Sequence, residues 1–191
     1  MKKIILASAS PRRKELLAKI GLKFSIEKSN IEEGLDLKLT PKKLAERLSY
    51  RKAYKISKKH SNAVIIAADT VVVLNGKIIG KPKNPKEAVS ILKKLSGKIH
   101  SVITAFTIFD TKTSKSITKS VETKVFMKKL TEKEINYYVN TGEPLDKAGA
   151  YGIQGFGGIF IEKIDGDYYN VVGLPLTALI RELKNFGINV L

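Results

Sequence analysis

An α/β fold is what this 191-residue sequence predicts, and three observations lead there. Short apolar runs alternate with stretches of helical spacing through the early part of the chain. Val64-Ile65-Ile66-Ala67-Ala68 is unbroken apolar sequence, the pattern of a strand covered on both faces. Val102 to Phe109 and Ile117 to Met127 read as two long strands that pair with each other. At this length one domain or one two-lobed unit is expected, able to bury about 70% of the surface its unfolded chain exposes.

The elements follow in order. Ile4 to Ala7 is a buried strand, and Leu16, Leu17 and Ile20 mark the inner face of the helix after it. Ser10 suits that helix's N-cap and Pro11 its first position. Phe24 to Glu27 is a short strand, and residues 28–39 are a polar loop containing Glu32-Glu33-Gly34. Thr40-Pro41 opens a helix to about Lys58. The strand at 64–68 is followed by Asp69-Thr70 and the apolar run Val71 to Leu74. Asn75-Gly76 is a hairpin turn. Asn84-Pro85-Lys86-Glu87 starts a helix with Ala88, Leu92 and Leu95 inward. Thr131 with Glu134 forms a capping box for a helix to about Val139. Residues 142–158 are rich in glycine, Ile159 to Ile164 is a strand, Asp165-Gly166 a turn, and Pro175 to Lys184 the last helix.

Composition removes several classes of function. There is no cysteine, so thiol catalysis, disulfides and Cys-based zinc sites are excluded, and two histidines are too few for a His-rich metal site. No apolar stretch is long enough to span a membrane and no secretory leader pattern is present, so a cytoplasmic protein is expected. The net charge of +17 invites a nucleic-acid reading. The lysines are spread along the whole chain as solvated doublets rather than in one basic block, so stable nucleic-acid binding is not expected. The charge can still raise the local concentration of small polyanions.

The most informative stretch is Ser8-Ala9-Ser10-Pro11-Arg12-Arg13, at the handover from strand to helix. Unused backbone N–H groups and the positive end of a helix dipole favour an anion there. The chain has 30 Lys and only 5 Arg, and two of the five are Arg12 and Arg13. Arginine offers the planar, two-pronged geometry that phosphate accepts. Asp69 stands after five apolar residues, at or beside the end of a buried strand. It therefore has a cation or metal partner, lies at a cleft mouth, or caps a turn. Lys52 falls near the middle of the apolar arc of its helix, set by Leu44, Ala45, Leu48 and Ile56. It either snorkels or meets a buried anion. Glu32-Glu33 is a solvated acid pair or, beside phosphate, a Mg²⁺ site. Gly80-Lys81-Pro82 puts a further cation in a rigid turn. Ser8 and Ser10 have no His–Asp partnership, and neither a P-loop nor a dinucleotide fingerprint occurs. His100 reads as a structural hydrogen-bonding residue.

These residues, with Lys52-Ala53, Ala68-Asp69-Thr70-Val71-Val72, Gly80-Lys81-Pro82, Leu95-Ser96-Gly97, His100-Ser101-Val102, the run Pro144 to Gly155, and Val171 to Leu176, occur in one order. In that order the chain resembles the Maf family of nucleoside triphosphate pyrophosphatases over nearly its whole length. The resemblance implies an α/β fold like that of the inosine triphosphate pyrophosphatases, with a twisted central mixed sheet flanked by helices and two lobes about a cleft. It implies hydrolysis of a nucleoside triphosphate to monophosphate and pyrophosphate with a divalent cation, Mg or Mn, in a cytoplasmic homodimer.

By position, Asp69 matches the family's proton acceptor. Ser8, Arg12, Arg13, Glu33, Lys52 and Lys81 match its substrate- and metal-handling residues. Glu32 stands where Asp is frequent. Arg12, Arg13, Lys52 and Lys81 can clamp a triphosphate. Glu33, with Glu32 or Asp69, can hold the metal. Asp69 can serve as base, metal ligand or both. Arg12, Thr70 and Gln154 read as in the type acting on dTTP and UTP, where the type acting on 7-methylguanosine triphosphate carries Trp, Gln and Glu. Gln154 can donate and accept at once, as the edge of uracil or thymine requires. The expected substrates are thus dTTP and UTP, with modified uridine triphosphates and CTP as lesser ones, in nucleotide-pool cleaning or cell-division arrest. The competing reading is a nucleic-acid-binding regulator of septum formation without catalysis.

Overall fold

The computed structural model describes residues 2–31 and 39–190. Seven strands form one mixed sheet: β1 Lys3–Leu6, β2 Ser25–Ile26, β3 Ala63–Leu74, β4 Lys77–Ile79, β5 Ile99–Asp110, β6 Ser116–Met127 and β7 Ile161–Asp165. Their order is β2-β1-β3-β5-β6-β7, with β4 hydrogen-bonded to β3. β1 runs parallel to both β2 and β3, with Leu6 opposite Ile66, whereas β4 on β3 and β7 on β6 are antiparallel. The helices are α1 Pro11–Lys19, α2 Pro41–Ser57, α3 Pro85–Leu95, α4 Glu132–Asn140, α5 Tyr168–Val172 and α6 Leu176–Leu183.

The chain divides into two compact units. The first comprises residues 1–69, 104–121 and 173–191, and the second residues 70–103 and 122–172. In the first unit Ile5 of β1, Ala7 just after it, and Ala63, Ile65 and Ala67 of β3 pack against Ala53 and Ile56 of α2 and Phe109 of β5. Val64, Ile66 and Ala68 point the other way and are equally buried, so β3 is covered on both faces as its unbroken apolar sequence requires. In the second unit Leu92 and Leu95 of α3, Ile135, Tyr138 and Val139 of α4, and Val125 and Met127 of β6 close a core with Tyr151 and Phe160. Each such large side chain contributes about 1.5–3 kcal/mol on leaving water.

The local signals act as chemistry dictates. Ser10, Thr40, Asn84 and Thr131 cap α1, α2, α3 and α4, and Thr131 with Glu134 makes the full capping box. Asn75 and Gly76, at φ 49° and 75°, make the β3–β4 turn. Three expectations are corrected. β3 does not stop before Asp69 but runs through it to Leu74. Residues 156–160 form a 3-10 turn, so β7 starts only at Ile161. A short helix, α5, occupies residues 168–172, where no element was expected. Its helical turn follows Asp167, whose carboxylate accepts from the Tyr169 and Asn170 N–H groups.

Candidate active site

Two periodicities bring Lys52 and Asp69 together. On β3 the odd-numbered residues 63, 65 and 67 face α2, and Asp69 continues that parity. On α2 the inward face is Leu44, Ala45, Leu48, Ser49, Lys52, Ala53 and Ile56. The ammonium of Lys52 therefore meets the carboxylate of Asp69, Nζ to Oδ1 at 2.6 Å, with the two residues only 8% and 6% exposed. Lys52 does not snorkel; the buried anion it meets is Asp69. Two charges taken out of water seldom gain stability over an apolar pair of the same volume. Their presence between Leu48 and Ile56 is thus better explained by chemistry than by packing.

The second cluster lies at the carboxyl end of β1. The backbone N–H of Ala7 donates to the carbonyl of Ile66 at 2.7 Å, which carries the β1–β3 register past the last paired strand residue. In that register Ser8 is level with Ala68, one residue before Asp69. The carboxyl ends of parallel strands are where open α/β sheets place their ligands. The Ser8 hydroxyl is buried and accepts from the Ser10 N–H and from Nη1 of Arg13, each at 3.2 Å. Nε of Arg13 donates to the carbonyl of Gly173 at 2.8 Å. Arg13 is thus oriented by its own chain as well as being a cation. Arg12 is half-buried in the same helical turn. The helix cap is weak, with the Arg13 N–H 3.5 Å from Ser10 Oγ.

Three further residues singled out from the sequence, Thr70, Lys81 and Gln154, belong to the second unit. Thr70 is half-buried on β3 and has the opposite parity to Asp69. Lys81 is exposed in the turn after β4, and the carbonyl of Gly80 beside it accepts from the Gly149 N–H at 3.1 Å. Gln154 is exposed in the glycine-rich segment. Glu32 and Glu33 lie outside the described residues. Among the described residues no group of three or more His, Cys, Asp or Glu side chains gathers as a metal site.

His100 is structural, as its sequence context indicates. It is buried, lies edge-on to Tyr151 and shares a 2.7 Å hydrogen bond between Nε2 and the Tyr151 hydroxyl. Burial drives its pKa from 6.5 down to about 4 and keeps it neutral.

The family profile described as Maf-like protein matches residues 3–186. The chain belongs to the Maf family. A dTTP/UTP pyrophosphatase of Alkaliphilus metalliredigens is 51% identical over 193 residues, all of both chains. One of Alkaliphilus oremlandii is 50% identical, again over all of both chains. One of Dictyoglomus turgidum is 48% identical over all of this chain and 99% of its own. The structure of the Staphylococcus aureus Ham1 protein matches with a TM-score of 0.49 and 15% identity, over 66% of this chain and 72% of that one. That partial likeness carries no functional weight.

Within this Maf chain, sequence reasoning missed two partners. The Gly173 carbonyl that orients Arg13 has no side chain to announce it. Glu143 receives hydrogen bonds from the Phe156 and Gly157 N–H groups of the glycine-rich segment and from the Tyr138 hydroxyl of α4. Its one sequence signal is an acid beside Pro144 at the start of that run.

Proposed function

We propose that this chain hydrolyses dTTP and UTP between the α- and β-phosphates, releasing the nucleoside monophosphate and pyrophosphate. The observation that carries the reading is the buried Lys52–Asp69 pair, level with the Ser8–Arg13 cluster at the carboxyl ends of β1 and β3. Relatives matching over the full length and named dTTP/UTP pyrophosphatase support it. Asp69 takes the proton of the attacking water. A new Pα–O bond forms, the bridging bond to the β-phosphate breaks, and its electron pair leaves with pyrophosphate. Lys52 holds the Asp69 carboxylate in place through its 2.6 Å contact. Arg12, Arg13 and Lys81 take phosphate oxygens and offset the charge that builds up in the transition state.

A divalent cation, Mg or Mn, fits the donor chemistry of Glu33, Glu32 and Asp69, since hard ions take carboxylates together with substrate phosphate oxygens. When bound, it neutralises phosphate charge. Thr70, Arg12 and Gln154 select the base: Gln154 offers a donor and an acceptor to a pyrimidine edge, and Arg12 disfavours a cationic methylated guanine. The reading also includes a cytoplasmic homodimer. No helix among the described residues is long and apolar enough to cross a membrane, and sedimentation tests the dimer.

A nucleotide panel with Mg²⁺ or Mn²⁺, scored for pyrophosphate against orthophosphate, tests the reaction. UTP and dTTP competed against GTP and 7-methyl-GTP test the base. Orthophosphate as first product, or full activity in excess chelator, overturns the mechanism. Preference for either guanine nucleotide overturns the base assignment. Tight nucleic-acid binding that survives raised salt, with no hydrolysis, would favour the regulatory alternative; binding that collapses with salt is only the non-specific attraction of a basic chain.

A further inference from the structure

The segment around Gln154 has little regular structure of its own. Short 3-10 turns at 143–146, 148–150 and 156–160 surround it. A segment of this kind holds one conformation only if its backbone polar groups find fixed partners. Here they find two side chains. The Gly152 N–H donates to the Tyr138 hydroxyl at 3.1 Å, and that hydroxyl donates to Glu143 Oε1 at 2.9 Å. On the far side of Gln154, the Phe156 N–H donates to Glu143 Oε2 at 2.9 Å and the Gly157 N–H to Oε1 at 3.4 Å. Both stems of the segment are therefore tied to one phenol–carboxylate pair.

The pair itself is fixed. Tyr138 is on α4, only 1% exposed, with its ring edge-on to Phe160 at 5.1 Å. Burial, and then the Glu143 carboxylate, raise the pKa of its hydroxyl, so it remains a donor. Lys147 Nζ donates to the Glu143 carbonyl at 2.6 Å. The glycines are placed by this closeness. A Cβ on Gly155 would lie 2.4–2.6 Å from the Glu143 carboxylate, and one on Gly157 would lie 2.7 Å from the Tyr138 hydroxyl and 2.8 Å from the Gly152 carbonyl.

We propose that Glu143 and Tyr138 are positioning residues that clasp both stems of the Gln154 segment and so set which base the enzyme accepts. This rests on Gln154 reading the base, as under the proposed function. Neither residue is a catalytic group. Losing the clasp loosens the aim of Gln154 and leaves the Lys52–Asp69 chemistry in place. Its mark is therefore a KM and selectivity effect rather than a kcat effect.

The experiment compares Glu143→Gln, Tyr138→Phe, Gln154→Ala and the double variant Glu143→Gln/Gln154→Ala. The readouts are steady-state kinetics on UTP, dTTP and GTP, and amide hydrogen exchange of Gly152, Phe156 and Gly157. Glu143→Gln is expected to raise KM for UTP and dTTP about tenfold with kcat within about threefold, and to narrow the preference over GTP. Tyr138→Phe, which keeps the buried ring, is expected to do the same to a smaller extent, and decides the matter if Glu143→Gln does not fold. The double variant is expected to be no worse than Gln154→Ala, because the clasp acts through Gln154. Exchange at the three amides is expected to speed up about tenfold or more in Glu143→Gln. Unchanged selectivity in both folded variants overturns the clasp, as does a double variant whose losses multiply, or unchanged exchange. A wild-type enzyme with no preference for UTP or dTTP over GTP overturns the base assignment itself, and the exchange data then judge the clasp on its own.

Discussion

The two compact units solve the problem of holding a polar group in opposite ways. In the first unit, Lys52 and Asp69 are held by regular elements: a helix and a strand each present one side chain inward, and the pair meets at 2.6 Å. In the second unit, Gln154 sits on irregular backbone, and two side chains reach out to fix that backbone instead. Regular elements give a short, stiff geometry, suited to the proton transfer proposed for Asp69. The clasped segment is instead held through the N–H groups of Gly152, Phe156 and Gly157, so closely that a Cβ at Gly155 or Gly157 would collide with the clasp. Breaking the Lys52–Asp69 pair should lose turnover, and breaking the clasp on the Gln154 segment should lose selectivity.

The largest expected effect tests the first half of that contrast. Asp69→Asn should lower kcat by about 10²–10⁴-fold if Asp69 is the base. Lys52→Met should also lower turnover. Because each change takes one member from a buried ion pair, each should also destabilise the fold, by up to about 3–5 kcal/mol. The double variant Lys52→Met/Asp69→Asn separates the two consequences. Denaturant unfolding should show recovered stability, since no charge of the pair remains buried, whereas turnover should stay low. A well-folded Asp69→Asn enzyme with more than about a tenth of wild-type kcat would break the assignment.

The next effect lies wholly in the second unit and concerns pH. His100 accepts its proton near 6.5 when unfolded and only near 4 when folded, because burial opposes the charge. Between those values the unfolded state binds more protons, so stability rises with pH. The His100 contribution is complete above about pH 6.5 and is lost progressively toward pH 4, on the order of 3 kcal/mol in all. Thermal melts of wild type and His100→Gln from pH 7 to 4.5 check it, and the variant should show the flatter curve. Equal slopes would mean that the imidazole is not held neutral by the second unit's core.

How much of this was legible in the sequence follows the same division. Lys52 could be placed from helical spacing and Asp69 from its apolar neighbours, because periods of 3.6 and 2 report which face a residue takes. That they face each other was not legible, because the register of α2 against β3 is a tertiary fact. The end of the strand at Asp69 was misread for a related reason. A carboxylate inside an apolar run resembles a stop signal until its buried ammonium partner is known. In the second unit the glycines announced close approach but not what approached. Glu143 and Tyr138 act on backbone N–H groups, which leave no pattern in side-chain identity. The residues 32–38, with the metal-holding acids expected there, lie outside the described structure.

A smaller effect tests whether the glycines are needed for the reason given. Gly157→Ala puts a methyl 2.7 Å from the Tyr138 hydroxyl and 2.8 Å from a backbone carbonyl, neither of which can move freely. The cost should be about 1–3 kcal/mol of stability, with selectivity impaired as in Tyr138→Phe. Gly76→Ala is the contrast. Beyond its chain neighbours no atom lies within 4 Å of the added methyl, although its φ of 75° carries its own backbone cost. It should destabilise without altering selectivity. If both substitutions alter KM for UTP equally, the crowding argument for the Gln154 segment fails.

The smallest effect compares helix caps in the two units. Thr131 closes a full capping box: its own N–H donates to Glu134 Oε2 at 2.7 Å, and its hydroxyl accepts from the Glu134 N–H at 3.2 Å. The Ser10 hydroxyl caps α1 through a long 3.5 Å contact with the Arg13 N–H. Thr131→Ala should cost about 1 kcal/mol of stability and leave KM unchanged. Ser10→Ala should cost only a few tenths of a kcal/mol, because so long a hydrogen bond holds little. If the first turn of α1 receives phosphate, however, Ser10→Ala should raise KM measurably, because the hydroxyl shapes the mouth of the helix dipole where the anion sits. Melting curves and KM for UTP, measured on both variants, give the answer as a cross-over: stability falls in one unit and substrate affinity in the other. A Ser10→Ala enzyme with lower stability and unaltered KM would make the two caps equivalent, and would remove the first turn of α1 from the substrate site.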